Sequence, residues 1–257
     1  MIQIKFPDGI EKREITRELD LSSFEKSFRN LCERRHPSEA WRMFIYLTAH
    51  EYADMAGNRN KRLYDEYWNI YDSLTNEEYT NMLEMLSIFL LEMRKNPFQD
   101  WLGTKYTELG LADTKTKSQF FTPSTLSDLM ARLTIGSKEQ LEKEIEEKGY
   151  ITIGDDCIGS GSLQLAALKY IDSLGIDYRK HVLVFGRDNS ELALLQCYIQ
   201  LSIAGAAAWL SLGDSLIDTR EYTIGTPQLI EDVWCMRALR NMAEKANKKA
   251  PQEQATA

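Results

Sequence analysis

Three carboxylates, each directly after a short apolar run, are the residues in this sequence best placed to do chemistry. The first is Asp155 or Asp156, after Tyr150–Ile153. The second is Asp188, after His181–Phe185, and the third is Asp214, after Ala206–Leu212. Between the first and the second comes Cys157-Ile-Gly159-Ser160-Gly161, and then Leu163-Gln-Leu-Ala-Ala-Leu168 in helical period. Glycines let a backbone pass close to a ligand, and the free N–H groups of a new helix face whatever binds there. A lone G-x-G is weak evidence by itself, since any strand-to-helix turn can carry glycines. Here it has company. A carboxylate at the carboxyl end of a strand accepts hydrogen bonds, so three on one rim mark the edge where such folds bind their ligands. Upstream, Gln119-Phe120-Phe121-Thr122-Pro123 sets two adjacent aromatic rings before a Thr-Pro helix start. Taken alone, Phe120 and Phe121 read as a hydrophobic staple on the helix that follows.

The elements that must hold these residues follow from periodicity. Strand, helix, strand, helix, strand over residues 150–216 is a βαβαβ unit. Right-handed crossovers make its three strands parallel and bring the three carboxylates to one edge. Residues 1–111 read as a helical domain after a short strand at Met1–Phe6. Ser22-Ser-Phe-Glu25 and Thr75-Asn-Glu-Glu78 are capping boxes, and Ser38 is expected to cap a helix carrying Trp41, Phe44 and Ile45. A further helix is expected to turn Met82, Met85, Leu86, Phe89, Leu90 and Met93 inward, with Asn96-Pro97 as its stop. Thr122 is expected to cap a helix over Ser124–Leu133, with Pro123 in its first turn. Residues 112–250 form the second domain, ending in an amphipathic stretch from Pro227 to about Lys248, and residues 251–257 read as a disordered tail.

Composition narrows the function classes. The net charge is −8, and the basic residues gather near the ends of the chain. A protein that grips duplex DNA alone usually carries a clustered basic surface, so DNA as a partner calls for a second subunit. The four cysteines are scattered, and His36, His50 and His181 form no metal-like spacing with them. No apolar run spans a bilayer. The reading is a reduced, cytoplasmic protein without metal or membrane partner. A nicotinamide site is disfavoured because the glycine fingerprint is incomplete, with Gln164 where its last glycine belongs.

Together these segments resemble the adenine-N6 DNA methyltransferases, in particular the modification subunits of type I restriction systems. Gln119–Pro123 is similar to the family's Q-F-[FY]-T-P segment. Asp155–Gly161 is similar to D-P-x-x-G-S-G, with Asp156 in place of the proline. Gly186-Arg-Asp188 and Gly213-Asp-Ser-Leu216 are similar to the segments that hold the ribose and the adenine amine. The resemblance implies a Rossmann-like α/β methyltransferase sheet, truncated after the third strand, beside an N-terminal helical domain. It implies S-adenosylmethionine as cofactor, held by Gln119, Phe120, Phe121, Thr122, Pro123, Asp155, Cys157, Gly159, Ser160, Gly161, Asp188, Asn189, Asp214 and Ser215. The family's [NDS]-P-P-[YFW] acceptor motif has no counterpart after Leu216 beyond Thr226-Pro227. The resemblance therefore implies a cofactor-binding chain that is silent alone. The alternatives are an adenine methyltransferase completed by a partner or by Thr226-Pro227, and an interaction module on a vestigial fold. The family's fourth strand normally lies beside the first, so the first strand is expected to be an edge, open to a partner subunit or a homodimer.

Overall fold

The computed structural model describes residues 9–57, 60–111, 122–230, 234, 236 and 237. The helical part contains α1 (Phe24–Cys32), α2 (Pro37–Met55), α3 (Lys61–Ser73), α4 (Asn76–Lys95) and α5 (Trp101–Glu108). Their starts follow from local chemistry. Ser23 caps α1, accepting from the Lys26 N–H. Thr75 and Glu78 close the reciprocal capping box of α4, satisfying two N–H groups that the helix leaves free. Helix α2 departs from expectation: its cap is the His36 ring, which accepts from the Ser38 N–H at 3.3 Å. Pro37, whose fixed φ suits the first helical turn, begins the helix earlier than the Ser38 hydroxyl would. Leu90, expected inward, is exposed. The stripe of Met82, Met85, Phe89 and Met93 already fills the buried face of α4, and Leu90 falls about 100° round the helix from Phe89.

The second part runs α6 (Ser124–Thr134), α7 (Lys138–Lys148), β1 (Ile151–Asp155), α8 (Ser162–Ser173), α9 (Tyr178–His181), β2 (Val182–Asp188), α10 (Glu191–Ala204), β3 (Ala207–Leu212) and β4 (Tyr222–Gly225), with a 3-10 turn at Pro227–Ile230. Thr122 does not cap α6. Pro123 takes the cap position without a side-chain bond, and the Thr122 carbonyl accepts from Ser162 Oγ at 3.1 Å. The sheet order is β1-β2-β3-β4, with β1, β2 and β3 parallel. Asp155 stands opposite Gly186, and Asp188 opposite Leu212. The parallel part ends at the third strand as expected. The Tyr222–Gly225 run then returns antiparallel against β3, so β1 and β4 are the sheet edges among the described residues.

Successive right-handed crossovers in one direction place α8 and α10 on the same face of the sheet. There Val184, Ala208, Leu210 and Ile224 are buried. One apolar cluster continues from Phe24 through Trp41, Phe89 and Leu102 to Leu194, Val184 and Ile224, joining the helices to the sheet. Edge-to-face rings dominate its middle, with Phe24 and Trp101 centred 4.8 Å apart. Such pairs add about 0.5–1.5 kcal/mol beyond their buried area. Near the amino ends of the strands Trp234 is buried, donating to the Arg179 carbonyl at 2.8 Å and meeting Tyr150 edge-on. The expected strand at Met1–Phe6 and the expected tail at residues 251–257 lie outside the described residues. Among those described, no helix is long and apolar enough to cross a membrane.

Candidate functional site

The site is built where β1 and β2 end. Asp155 closes β1: its Oδ1 accepts from the Cys157 N–H at 2.9 Å, and its Oδ2 from Gln164 Nε2 at 2.8 Å. The turn that follows needs left-handed backbone at Gly159 (φ +57°) and Gly161 (φ +92°), a region costly for residues with a Cβ. Gly161 is also pressed from below, because a Cβ there would stand 2.8 Å from Cys197 Sγ. The turn is fastened to β2. Gly159 N–H donates to Asp188 Oδ2 at 2.8 Å, and Ile158 N–H donates to the Arg187 carbonyl at 2.9 Å. Gly186 has no room for a side chain against Ile158.

Asp188 is the electrostatic centre of this arrangement. Its Oδ1 accepts from the Ser190 N–H at 2.8 Å. Burial pushes its pKa above the ordinary value, the N–H groups of Ser190, Gly159 and Asn189 offset this in part, and the neighbouring Asp155 charge adds to the rise. Beneath lies the fully buried Cys197 thiol. Burial raises its pKa well above the usual range, and Asp100, Asp188 and Asp155 raise it further, which places three carboxylates around one sulfur.

Asp100 and Gln200 have parts in the site that the sequence reading did not identify. Asp100 caps α5 through the Gly103 N–H and accepts the Ser160 hydroxyl at 2.5 Å. Gln200, wholly buried in α10, donates to Asp100 Oδ1 and to the Ser160 carbonyl, and accepts from the Leu102 N–H. The glycine turn is thereby held on two sides, by β2 and by α5. The Ser160 hydroxyl is committed to this inner network. The available signals were a polar residue in an apolar helix and an aspartate at a helix start, neither of which names its partner.

The third carboxylate is close by in the chain of contacts. Gly213 N–H donates to the Asp188 carbonyl at 2.9 Å, and Asp214 Oδ1 accepts from the Leu216 N–H at 2.8 Å. Asn189 is exposed and Ser215 half-buried beside them, while Cys157 is exposed on the turn. Thr122 and Pro123 reach the same region, since the Thr122 carbonyl and Ser127 both bond Ser162 at the start of α8. Gln119, Phe120 and Phe121 lie outside the described residues. Asp156, where the resemblance expects proline, points outward, 3.7 Å from the guanidinium of the buried Arg187. Arg187 in turn donates to Asp218 at 2.8 Å.

Thr226 is no part of this rim. It is fully buried, its hydroxyl donating to the Ala206 carbonyl and accepting from the Ala208 N–H at the opposite, amino end of β3. Thr226-Pro227 therefore does not complete an acceptor site: its hydroxyl is spent on the sheet. Asn96-Pro97-Phe98 is likewise a helix stop, with Asn96 Oδ1 accepting from the Phe98 N–H and the Phe98 ring against Tyr178. Among the described residues, no group of His, Cys, Asp and Glu could hold a metal ion.

The family model for N-6 DNA Methylase matches residues 99–228, a span that begins beside Asp100 and ends after β4. The chain belongs to the N-6 DNA methylase family. The match takes in α5, the glycine turn and the ends of all three parallel strands, so the α/β sheet is a methyltransferase fold. A crystal structure of the type I restriction-modification system methyltransferase subunit from Streptococcus thermophilus is similar, with 14% sequence identity and a TM-score of 0.45. The alignment covers 79% of this chain and 59% of that one, so this family member spans less than two thirds of that subunit's length. No curated protein matches the chain.

Proposed function

We propose that the rim formed by Asp155, the Gly159–Gly161 turn, Asp188 and Asp214 binds S-adenosylmethionine. The observation that carries the proposal is Asp188. It bridges the turn to β2 through the Gly159 N–H on Oδ2 and the Ser190 N–H on Oδ1, and a half-buried carboxylate keeps further acceptor capacity for ribose hydroxyls. Asp214 lies beyond it for an amine, and Asn189 and Ser215 flank the two. In this reading Cys157 and the backbone of Gly159 and Gly161 serve the methionine end, the role the resemblance also assigns to Gln119–Pro123. The donor set fits a cofactor without a pyrophosphate: it offers carboxylates and needs no anion cradle. When bound, that cofactor supplies an electrophilic methyl group. The protein's own part is to orient it, with Asp188 held in place by the Gly159 and Ser190 N–H groups.

The same reading makes the chain silent toward DNA by itself. The described rim carries no polar-proline-aromatic acceptor, and Thr226 is structural. Methylation of adenine-N6, and DNA binding at a net charge of −8, then require a partner subunit. The test is calorimetry with S-adenosylmethionine on wild type and Asp188→Ala, followed by transfer of labelled methyl to DNA. Saturable binding that the substitution removes, without transfer, is the expected outcome. Equal affinity in both proteins would refute the assignment, and transfer by the chain alone would refute the silence.

A further inference from the structure

The helical part contains a hollow of its own. Helix α3 packs chiefly on α2, and α4 chiefly on α1. Between the two pairs lies a cavity of about 500 Å³, within the usual range for small-molecule sites of roughly 300–1,000 Å³. Its α4 wall is the stripe Tyr79, Met82, Leu86 and Leu90 at helical spacing. The exposed Leu90 therefore belongs to a second apolar face of α4, one that no described helix covers. Six of the fourteen lining residues are aromatic, one is the carboxylate Glu51, and none is basic. The rings are fixed from outside the hollow. The Tyr67 hydroxyl donates to Glu51 Oε1 at 2.9 Å, and the Tyr71 hydroxyl accepts from the Arg13 backbone N–H at 2.8 Å. Tyr67 and Tyr71 lie near-parallel with centroids 6.1 Å apart, and Trp68 and Tyr79 meet Tyr71 edge-on at 5.5 and 5.8 Å. Partial burial raises the Glu51 pKa, the Tyr67 bond offsets this in part, and the Asp54 charge raises it further. Among the described residues no cation offsets the Glu51 charge.

We infer that this cavity binds a small organic cation, an amine or quaternary ammonium carried on a flat apolar body. Charge complementarity selects this occupant. Aromatic faces attract a cation through the ring quadrupole, and more strongly where water is displaced. Glu51 supplies the counter-charge at one wall, and the leucine and methionine side chains of α2 and α4 receive the apolar body. An anion in the same place meets Glu51 with no basic group in the lining to offset it. A neutral molecule of the same shape gains the apolar contacts and leaves the carboxylate without a partner charge. Because the rings are held by Glu51 and by the Arg13 backbone, little ordering is left for the ligand to impose. The cavity shares no residue with Asp155, the Gly159–Gly161 turn, Asp188 or Asp214, so this site stands or falls independently of the proposed cofactor rim.

The test uses the full chain. Isothermal titration with benzyltrimethylammonium is compared with neutral N,N-dimethylbenzamide and anionic benzoate, and the tryptophan indole N–H signals are followed by NMR. The cation should bind saturably, one to one, and at least about fivefold tighter than the amide, with no binding of benzoate. The Trp68 signal should shift, while Trp41, Trp101, Trp209 and Trp234 serve as internal controls. Glu51→Gln should bring the affinity for the cation within about twofold of that for the amide. Leu90→Trp, which fills the hollow from its exposed wall, should abolish binding of both and leave the melting temperature unchanged. Equal affinity of the wild type for cation and amide, or no saturable binding of the cation, would overturn the inference. So would a shift confined to a tryptophan other than Trp68, a preference for the cation that survives in Glu51→Gln, or unchanged binding in a folded Leu90→Trp. Should Leu90→Trp fail to melt cooperatively, the Trp68 shift and the Glu51→Gln titration decide.

Discussion

Burial disfavours the ionised form of Asp188 and raises its pKa, and this gives the proposed cofactor binding a pH signature. Hydroxyls donate more strongly to the carboxylate than to the neutral acid, which keeps fewer acceptor sites, so protonation weakens binding. Affinity is therefore full above the raised pKa and falls as pH drops through it, starting above the ordinary aspartate value of 3.8. Asp188→Asn should weaken binding by roughly 10- to 100-fold, the equivalent of about 1.5–3 kcal/mol for hydrogen bonds to a charged group, and should flatten the pH profile. Calorimetry across a pH series reads both. Gly161 makes a separate prediction. Gly161→Ala forces a side chain into left-handed backbone and against Cys197, and should lower unfolding free energy by about 2–4 kcal/mol. Adding Cys197→Ala should recover part of that loss, leaving the backbone share. Denaturant unfolding of the single and double variants measures the difference.

The elements that were plain in the sequence are those whose causes are local. The capping box of α4, the charge-rich α7 and the Gly205 stop of α10 depend on neighbours within a turn or two, and each stands where the pattern put it. So do the three parallel strands, whose carboxyl ends were marked by Asp155, Asp188 and Asp214. What escaped depends on partners far away in the chain. The Asp100–Ser160 bond joins residues 60 apart, and Gln200 reaches back 98 positions to Leu102. The cap of α2 by His36 escaped because an imidazole competes with a hydroxyl only once the Pro37 geometry is fixed. Asp100→Ala should cost about 1 kcal/mol for the lost cap and about 1–3 kcal/mol for the partners left unpaired. Thr226→Val should destabilise by a similar 1–3 kcal/mol, through the unpaired Ala208 N–H, and leave cofactor affinity untouched. Chemical unfolding alongside cofactor titration distinguishes these two roles.

At the scale of the whole molecule, helices and sheet share one apolar core, and the glycine turn lies where they meet, braced by α5 on one side and β2 on the other. In the proposed reading a nucleoside lies on this braced floor. The family match over residues 99–228 covers this floor. The account's central claim is that the floor binds S-adenosylmethionine through Asp188, and isothermal titration of the purified chain tests it most directly. Saturable one-to-one binding, lost in Asp188→Ala while the variant still melts cooperatively, is the predicted result. Absence of any binding heat or thermal shift in the folded wild-type chain would contradict it.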